Sequence, residues 1–128
     1  MGKKKRRRSR RLVRKITLTV YERVLGRMAE NVSEARDRDT QRISTKVLER
    51  LDFSDEEKEV LKLIETDGQI KWDDKNDNTE KEIEFEDAEY RRFLKSVRAP
   101  LPQGINWPKN KKTSVFLDKM FDLKESGS

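Results

Sequence analysis

Histidine and cysteine are both absent from this sequence, and proline (three) and glycine (five) are scarce. Without histidine there is no Ser-His-Asp or Cys-His arrangement, no imidazole general base and no imidazole metal ligand. Without cysteine there is no disulfide and no thiolate zinc site, which suits a reducing compartment. The glycines form neither G-x-x-x-x-G-K-[ST] nor G-x-G-x-x-G, so no nucleotide cradle is recognisable. No apolar run approaches the roughly 20 residues of a membrane-spanning helix, and no apolar h-region follows the basic N-terminal stretch. Most common hydrolases are thereby removed, and the expectation is a non-enzymatic intracellular protein with no cofactor and no membrane partner.

What the chain has in excess is charge: 44% of it is Asp, Glu, Lys or Arg against 32% hydrophobic residues, enough for one modest core under much solvated surface. The charge is unevenly placed. Ten of the 31 Lys and Arg fall in residues 1–15 (Lys3, Lys4, Lys5, Arg6, Arg7, Arg8, Arg10, Arg11, Arg14 and Lys15), leaving 21 against 25 Asp and Glu and a net −4 on the rest. A run of like charges has no apolar burial to offset chain entropy, so residues 1–14 are expected to form a disordered basic arm on a mildly acidic body.

Over the body, residues 15–98, "KITLT" alternates Ile16 and Leu18 with polar neighbours as a half-buried strand. Thr19 opens a capping box with Glu22, ahead of a helix whose Tyr21, Val24, Leu25 and Met28 make one apolar stripe. Ser33 is the candidate N-cap before a second amphipathic helix bearing Ile43, Val47, Leu48 and Leu51. "SDEE" from Ser54 is another capping box, opening a turn or so of helix. "VLKLIETDGQIKW" then reads as a hairpin, because Asp67-Gly68 is a preferred type I′ pair. A two-residue turn sets Leu63 opposite Trp72 and Glu65 opposite Ile70, with Leu61, Leu63, Ile70 and Trp72 on one face. "EIEFE" is a fourth strand with Ile83 and Phe85 on one side, and Asp87 caps a helix bearing Tyr90, Phe93, Leu94 and Val97. This helix and the first both read Y-x-R-Φ-L-x-x-Φ, from either a repeated strand-cap-helix unit or a coincidence of amphipathic spacing. "RAPLPQGINWP" holds all three prolines, so residues 99–112 are a proline-containing linker or loop. Thr113 or Ser114 caps a last amphipathic helix over 113–123, and 124–128 is a tail. The expected fold class is α+β, a small sheet of about four strands including the DG-turn hairpin, packed with three to four helices.

The stretches "ITLTVYERVL", "LERLDFSDEE", "DGQIKWDD" and "EIEFEDAEYRRFLKSV", in this order, resemble a class of small α+β proteins encoded by tailed bacteriophages. The resemblance covers roughly residues 15–98 and implies no activity or site residues. The location expected from the composition is cytoplasmic, in a host cell if the chain is viral, with virion or nucleus as alternatives, the nucleus because K/R-rich stretches also serve as targeting signals. The long basic arm and the segment from Pro100 to Phe121 are departures from that pattern.

Three acidic or aromatic groups invite chemistry and fall short of it. In "DDKNDNTE", Asp73, Asp74, Asn76, Asp77 and Asn78 offer oxygens to a hard cation, but Thr79 occupies the position where a loop starting at Asp74 needs glycine, and Phe85 is its twelfth residue. Glu82, Glu84 and Glu86 share a strand face as nuclease carboxylates would, and equally as a solvated strand face does, with no E-x-K partner. Trp72 reads as core, and Trp107, beside "KNKK", as a contact residue. The arm is the strongest signal: flexible Lys and Arg neutralise phosphates with little sequence preference. Lys109, Lys111 and Lys112 extend the footprint. The function expected is a non-enzymatic accessory protein bound to DNA or RNA through these cations. Trp107, Phe116, Leu117, Met120 and Phe121 are candidate anchors for a protein partner or self-association. The alternative is a protein-binding module, a virion component or regulator of a host enzyme, whose arm docks an acidic surface.

Overall fold

The alternation in β1 (Val13–Thr19) buries Ile16 and Leu18 and turns Val13, Lys15 and Thr17 to solvent. After it come α1 (Val20–Val32), α2 (Arg38–Leu51), α3 (Asp55–Leu61), β2 (Ile64–Thr66), β3 (Gln69–Lys71), a 3-10 turn at Asp74–Asn76, β4 (Glu80–Glu86), α4 (Asp87–Arg98) and α5 (Lys111–Asp122). The computed structural model describes residues 13–67 and 69–123; the charge run of residues 3–11, Gly68 and the tail 124–128 lie outside them.

The fold is α+β, with corrections to the sequence reading. The strands form two separate two-stranded antiparallel sheets, β1–β4 and β2–β3, instead of one. β2 and β3 are only three residues each, and Leu63, Ile70 and Trp72 pack with Val20, Phe53 and Leu61 in a small second cluster. Five α-helices stand where three to four were expected. The Ser54–Glu57 capping box and an acidic first turn carry α3 through seven residues, until Lys62 adopts φ 57°. Leu61 therefore reaches the second cluster from a helix and not from the hairpin face. The hairpin register agrees with the DG turn, Glu65 facing Ile70 and Thr66 facing Gln69, with Asp67 at φ 50°. Trp72 is half-buried, meets Tyr21 edge-on at 6.2 Å and donates its indole N–H to Asp77, so it covers that cluster instead of filling it. Asp37, not Ser33, caps α2 by accepting from the Thr40 N–H at 2.8 Å, and Glu86, not Asp87, is the N-cap of α4.

The long strands build the main core. β1 and β4 pair along all seven residues, with Ile16 opposite Ile83 at the middle of both. Each strand enters its helix without a loop, α1 after β1 and α4 after β4, and each helix is followed by a second, α2 and α5. The two halves share the order strand-helix-helix, and their strands pair about Ile16 and Ile83. Equivalent positions show equivalent burial: Glu22 and Glu89, Arg23 and Tyr90, Leu25 and Arg92, Ala29 and Ser96 are all buried. The Y-x-R-Φ-L match in the sequence, which aligns Tyr21 with Tyr90, is two places out of step with this repeat. Tyr21, Val24 and Met28 are consequently half-buried, and Leu25, Gly26 and Ala29 face the core. Gly26 and Phe93, at matching positions of α1 and α4, meet each other, and both cannot be large. A Cβ on Gly26 would lie 2.9 Å from Phe93 Cε1.

Charge is buried with partners. Glu22 Oε1 accepts from the Thr19 N–H (3.0 Å) and from Lys119 Nζ (2.8 Å); Glu89 Oε1 accepts from the Glu86 N–H (3.0 Å) and from Arg50 Nε (3.0 Å). Each capping glutamate is thus tied to a cation on the second helix of the opposite half. Glu30 accepts from Arg92 Nε (2.9 Å), Ser44 Oγ (2.6 Å) and Ser96 Oγ (2.8 Å), joining α1, α2 and α4. Arg23 lies 3.9 Å over the Phe53 ring and donates to Glu57 Oε2 at 2.7 Å. Burial raises the Glu57 pKa, but the Arg23 hydrogen bond, the Ser54 N–H and the charges of Arg23 and Lys81 outweigh it and hold the carboxyl at about 2.

Two outcomes follow for stability. Gly26→Val should cost about 2 kcal/mol by overpacking against Phe93, read from denaturant midpoints at unchanged m. Because the folded pKa of Glu57 is depressed, its contribution is complete above pH 4.5 and lost as pH falls towards 2. The stability gap between the parent and Glu57→Gln should therefore be about 2 kcal/mol at pH 7, allowing for solvent screening of a part-exposed pair, and should close between pH 4.5 and 2.

Candidate nucleic-acid interface

Since β1 begins at Val13, Arg14 and Lys15 belong to the strand pair and not to the arm. Arg14 donates from Nε (3.3 Å) and Nη2 (3.1 Å) to Asp87 Oδ1, and its guanidinium lies 5.2 Å from the Tyr90 ring centroid. Arg91 Nε reaches the other Asp87 oxygen at 2.8 Å. The Arg91 hydrogen bond is the largest influence on the Asp87 pKa; desolvation opposes it, and the Arg14 hydrogen bond with the charges of both arginines makes the net effect a lowering. Lys15 is exposed on the outer face of the ribbon, 4.0 Å from Glu82 and 3.8 Å from Glu84. The remaining cations of the run, Lys3, Lys4, Lys5, Arg6, Arg7, Arg8, Arg10 and Arg11, lie outside the described residues.

A two-stranded antiparallel ribbon has the dimensions to enter a DNA major groove. This ribbon carries the wrong charge for it. Its outer face sets Val13, Lys15, Thr17 and Thr19 against Glu86, Glu84, Glu82 and Glu80, so a single lysine faces a row of glutamates. Approaching phosphates would be repelled. The carboxylates of the polar loop have structural work of their own: Asp77 accepts from the Trp72 indole and from Lys112, Asp73 Oδ1 accepts from the Lys75 N–H at 3.0 Å, and Asn76 donates to the Leu61 carbonyl at 3.0 Å. Among the described residues no group of three or more acidic side chains is placed to hold a metal ion.

At the other end, α5 begins at Lys111, two residues before the sequence reading had it, because Asn110 caps it by accepting from the Thr113 N–H at 2.9 Å. Asn110 also donates to the Tyr21 hydroxyl at 2.7 Å. Lys109 and Lys111 are exposed, while Lys112 is paired with Asp77 and sits 5.7 Å over the Tyr21 ring. The candidate anchors divide. Phe116 and Met120 are fully buried and are therefore core residues of this chain instead of partner anchors. Trp107 is half-buried edge-on to Phe116 at 6.2 Å, and Leu117 packs at the core margin. Arg98 donates to the Met120 carbonyl at 2.8 Å and holds the end of α5 to α4. Only Phe121 of the five is exposed, at 59%.

A concentration of cations that the sequence reading missed lies between α2 and α4. A hollow of about 650 Å³ is bounded by Thr40 and Ile43 on one side and Arg91, Arg92, Lys95 and Arg98 on the other. The signal in "RRFLKSVR" was the spacing of Arg91, Lys95 and Arg98 at i, i+4 and i+7, which places them together on the face opposite Phe93 and Val97. No protein-family model, curated protein or solved structure matches the chain. No helix among the described residues is long and apolar enough to cross a membrane.

The division within α5 is testable by paired substitutions. Met120→Ala should cost about 3 kcal/mol, as for a buried methionine, whereas Phe121→Ser should stay within about 0.5 kcal/mol of the parent in thermal or denaturant unfolding.

Proposed function

We propose that the chain is a non-enzymatic, nucleic-acid-associated accessory protein of the kind tailed bacteriophages encode. It grips phosphate backbone with little sequence preference through the eight Lys and Arg of residues 3–11. The observation that carries this reading is the distribution of charge about the ribbon. Eight cations in nine residues join a strand whose own Arg14 and Lys15 are engaged by Asp87, Glu82 and Glu84. Phosphate contact by released counterions is the chemistry such a run supplies. The glutamates of the outer ribbon face argue against base reading in the major groove, which supports low specificity. That acidic face instead suits a basic protein surface, as expected of an accessory protein that brings nucleic acid and protein together.

The test compares the full chain with one lacking residues 2–11, which leaves β1 whole. Binding to a labelled 20-bp duplex DNA and to a single-stranded RNA of 20 nucleotides is followed by anisotropy between 50 and 300 mM salt. If six or so cations of the segment meet phosphates, its removal should make the plot of log affinity against log salt shallower by roughly 5 and weaken binding at least 100-fold. Equal affinity of the two chains for both probes would remove the reading and favour an acidic protein surface as the target of the segment.

A further inference from the structure

The hollow between α2 and α4 does not stand alone. A second hollow, of about 570 Å³, adjoins it and shares Thr40, Arg92, Lys95 and Ala99, so the two form one furrow that continues past Arg36 towards Pro102. No carboxylate lines the first hollow. The second has Glu34 and Asp37, and both are engaged: Glu34 with Arg36 at 3.0 Å, Asp37 with the Thr40 N–H and hydroxyl, each at 2.8 Å. Asp37 keeps its charge as the α2 N-cap, but Arg36, Arg91, Arg92, Lys95 and Arg98 outnumber the two carboxylates along the furrow, with Ile43 and Ala99 among its apolar lining.

We propose that this furrow is a second polynucleotide-backbone site, in which Arg91 and Lys95 seat phosphodiester groups. The inference rests on the nucleic-acid reading above and gives the folded body a part in it. Not every cation there is available. Arg92 is neutralised from beneath by Glu30, and Arg98 holds the α5 carbonyls. Lys95 is exposed and has no ion-pair partner among the described residues. Arg91 is half-exposed and shares the single carboxylate of Asp87 with Arg14, so that trio carries a net positive charge. Arg91 and Lys95 lie one helical turn apart on the same face, a separation of about 6 Å along the axis.

The position of Arg14 links this site to the basic segment. Arg14 is three residues beyond Arg11 in the sequence, and its salt bridge places it beside the first turn of α4, from which Arg91 and Lys95 lead along the furrow. Among the described residues, cations thus continue from Arg14 onto the helical face. The ribbon's glutamates lie on the outer face, turned away from the helices, and their field drives a polyanion in the same direction. The furrow suits a sugar-phosphate strand laid lengthwise, since its lining combines charge with apolar side chains such as Ile43 and Ala99.

Charge neutralisation tests the site in the full-length chain. Arg91→Gln with Lys95→Gln removes the two seats; Lys62→Gln with Lys71→Gln removes the same charge from α3's end and the hairpin. With the 20-bp duplex and the 20-nucleotide RNA as probes, the α4 pair should lower affinity roughly tenfold or more and make the salt plot shallower by about 2, whereas the control pair should change the slope by less than about 0.5. Far-ultraviolet circular dichroism and thermal midpoints matching the parent establish that the α4 variant is folded. If the α4 pair behaves as the control pair does while deletion of residues 2–11 still destroys binding, the furrow is refuted and the segment reading survives. A parent chain that binds neither probe at 50 mM salt overturns both.

Discussion

Neither half of this protein has a core until β1 finds β4. Ile16, Leu18, Ile83 and Phe85 form the apolar side of a ribbon only two strands wide, and a single hairpin-width ribbon is not stable in water without a layer packed on it. That layer is supplied by α1 and α4, which leave the strands directly and so take their positions from the pairing itself. The two strands are far apart in the chain, β1 ending at Thr19 and β4 beginning at Glu80, so the loop-closure entropy must be met before any of this burial is gained. The matching residues that meet each other, Ile16 with Ile83 and Gly26 with Phe93, show the constraint at its tightest. One pair is matched in size and the other divided into small and large.

The capping glutamates convert local helix starts into tertiary ties. Glu22 and Glu89 would each satisfy an N-cap N–H in an isolated helix, but here they also reach Lys119 and Arg50 on the opposite half. With Glu30 holding Arg92, Ser44 and Ser96, the helices are locked by groups that lose heavily if one partner is removed, because a buried charge would then be left uncompensated. The insertion of α3 and the β2–β3 hairpin adds its own small cluster and is fastened to α1 through Arg23 and Glu57.

Function follows from how the remaining charge is sorted. The outer ribbon face collects glutamates and the α2–α4 side collects Arg91, Lys95 and Arg98, although the two surfaces are built from neighbouring stretches of sequence. In the function proposed above, a polyanion is turned away by one face and received by the other.

Strands, capping boxes, the DG hairpin register and the apolar positions of α4 were legible in the sequence because each depends on neighbours within a few residues: alternation at Ile16 and Leu18, a Thr-x-x-Glu or Ser-x-x-Glu spacing, a turn that needs positive φ at Asp67. The asymmetry of charge was equally legible, being a matter of counting. What the sequence could not determine was which surfaces those elements would share. Whether four strands make one sheet or two depends on the packing of a three-residue hairpin against Phe53 and Val20. Whether Phe116 and Met120 are anchors or core depends on the space left by the opposite half. That Arg14 is a structural cation and Lys95 an available one depends on Asp87 standing beside the first and no carboxylate beside the second. These are contacts between residues far apart in the chain, and only the pairing of β1 with β4 brings them together.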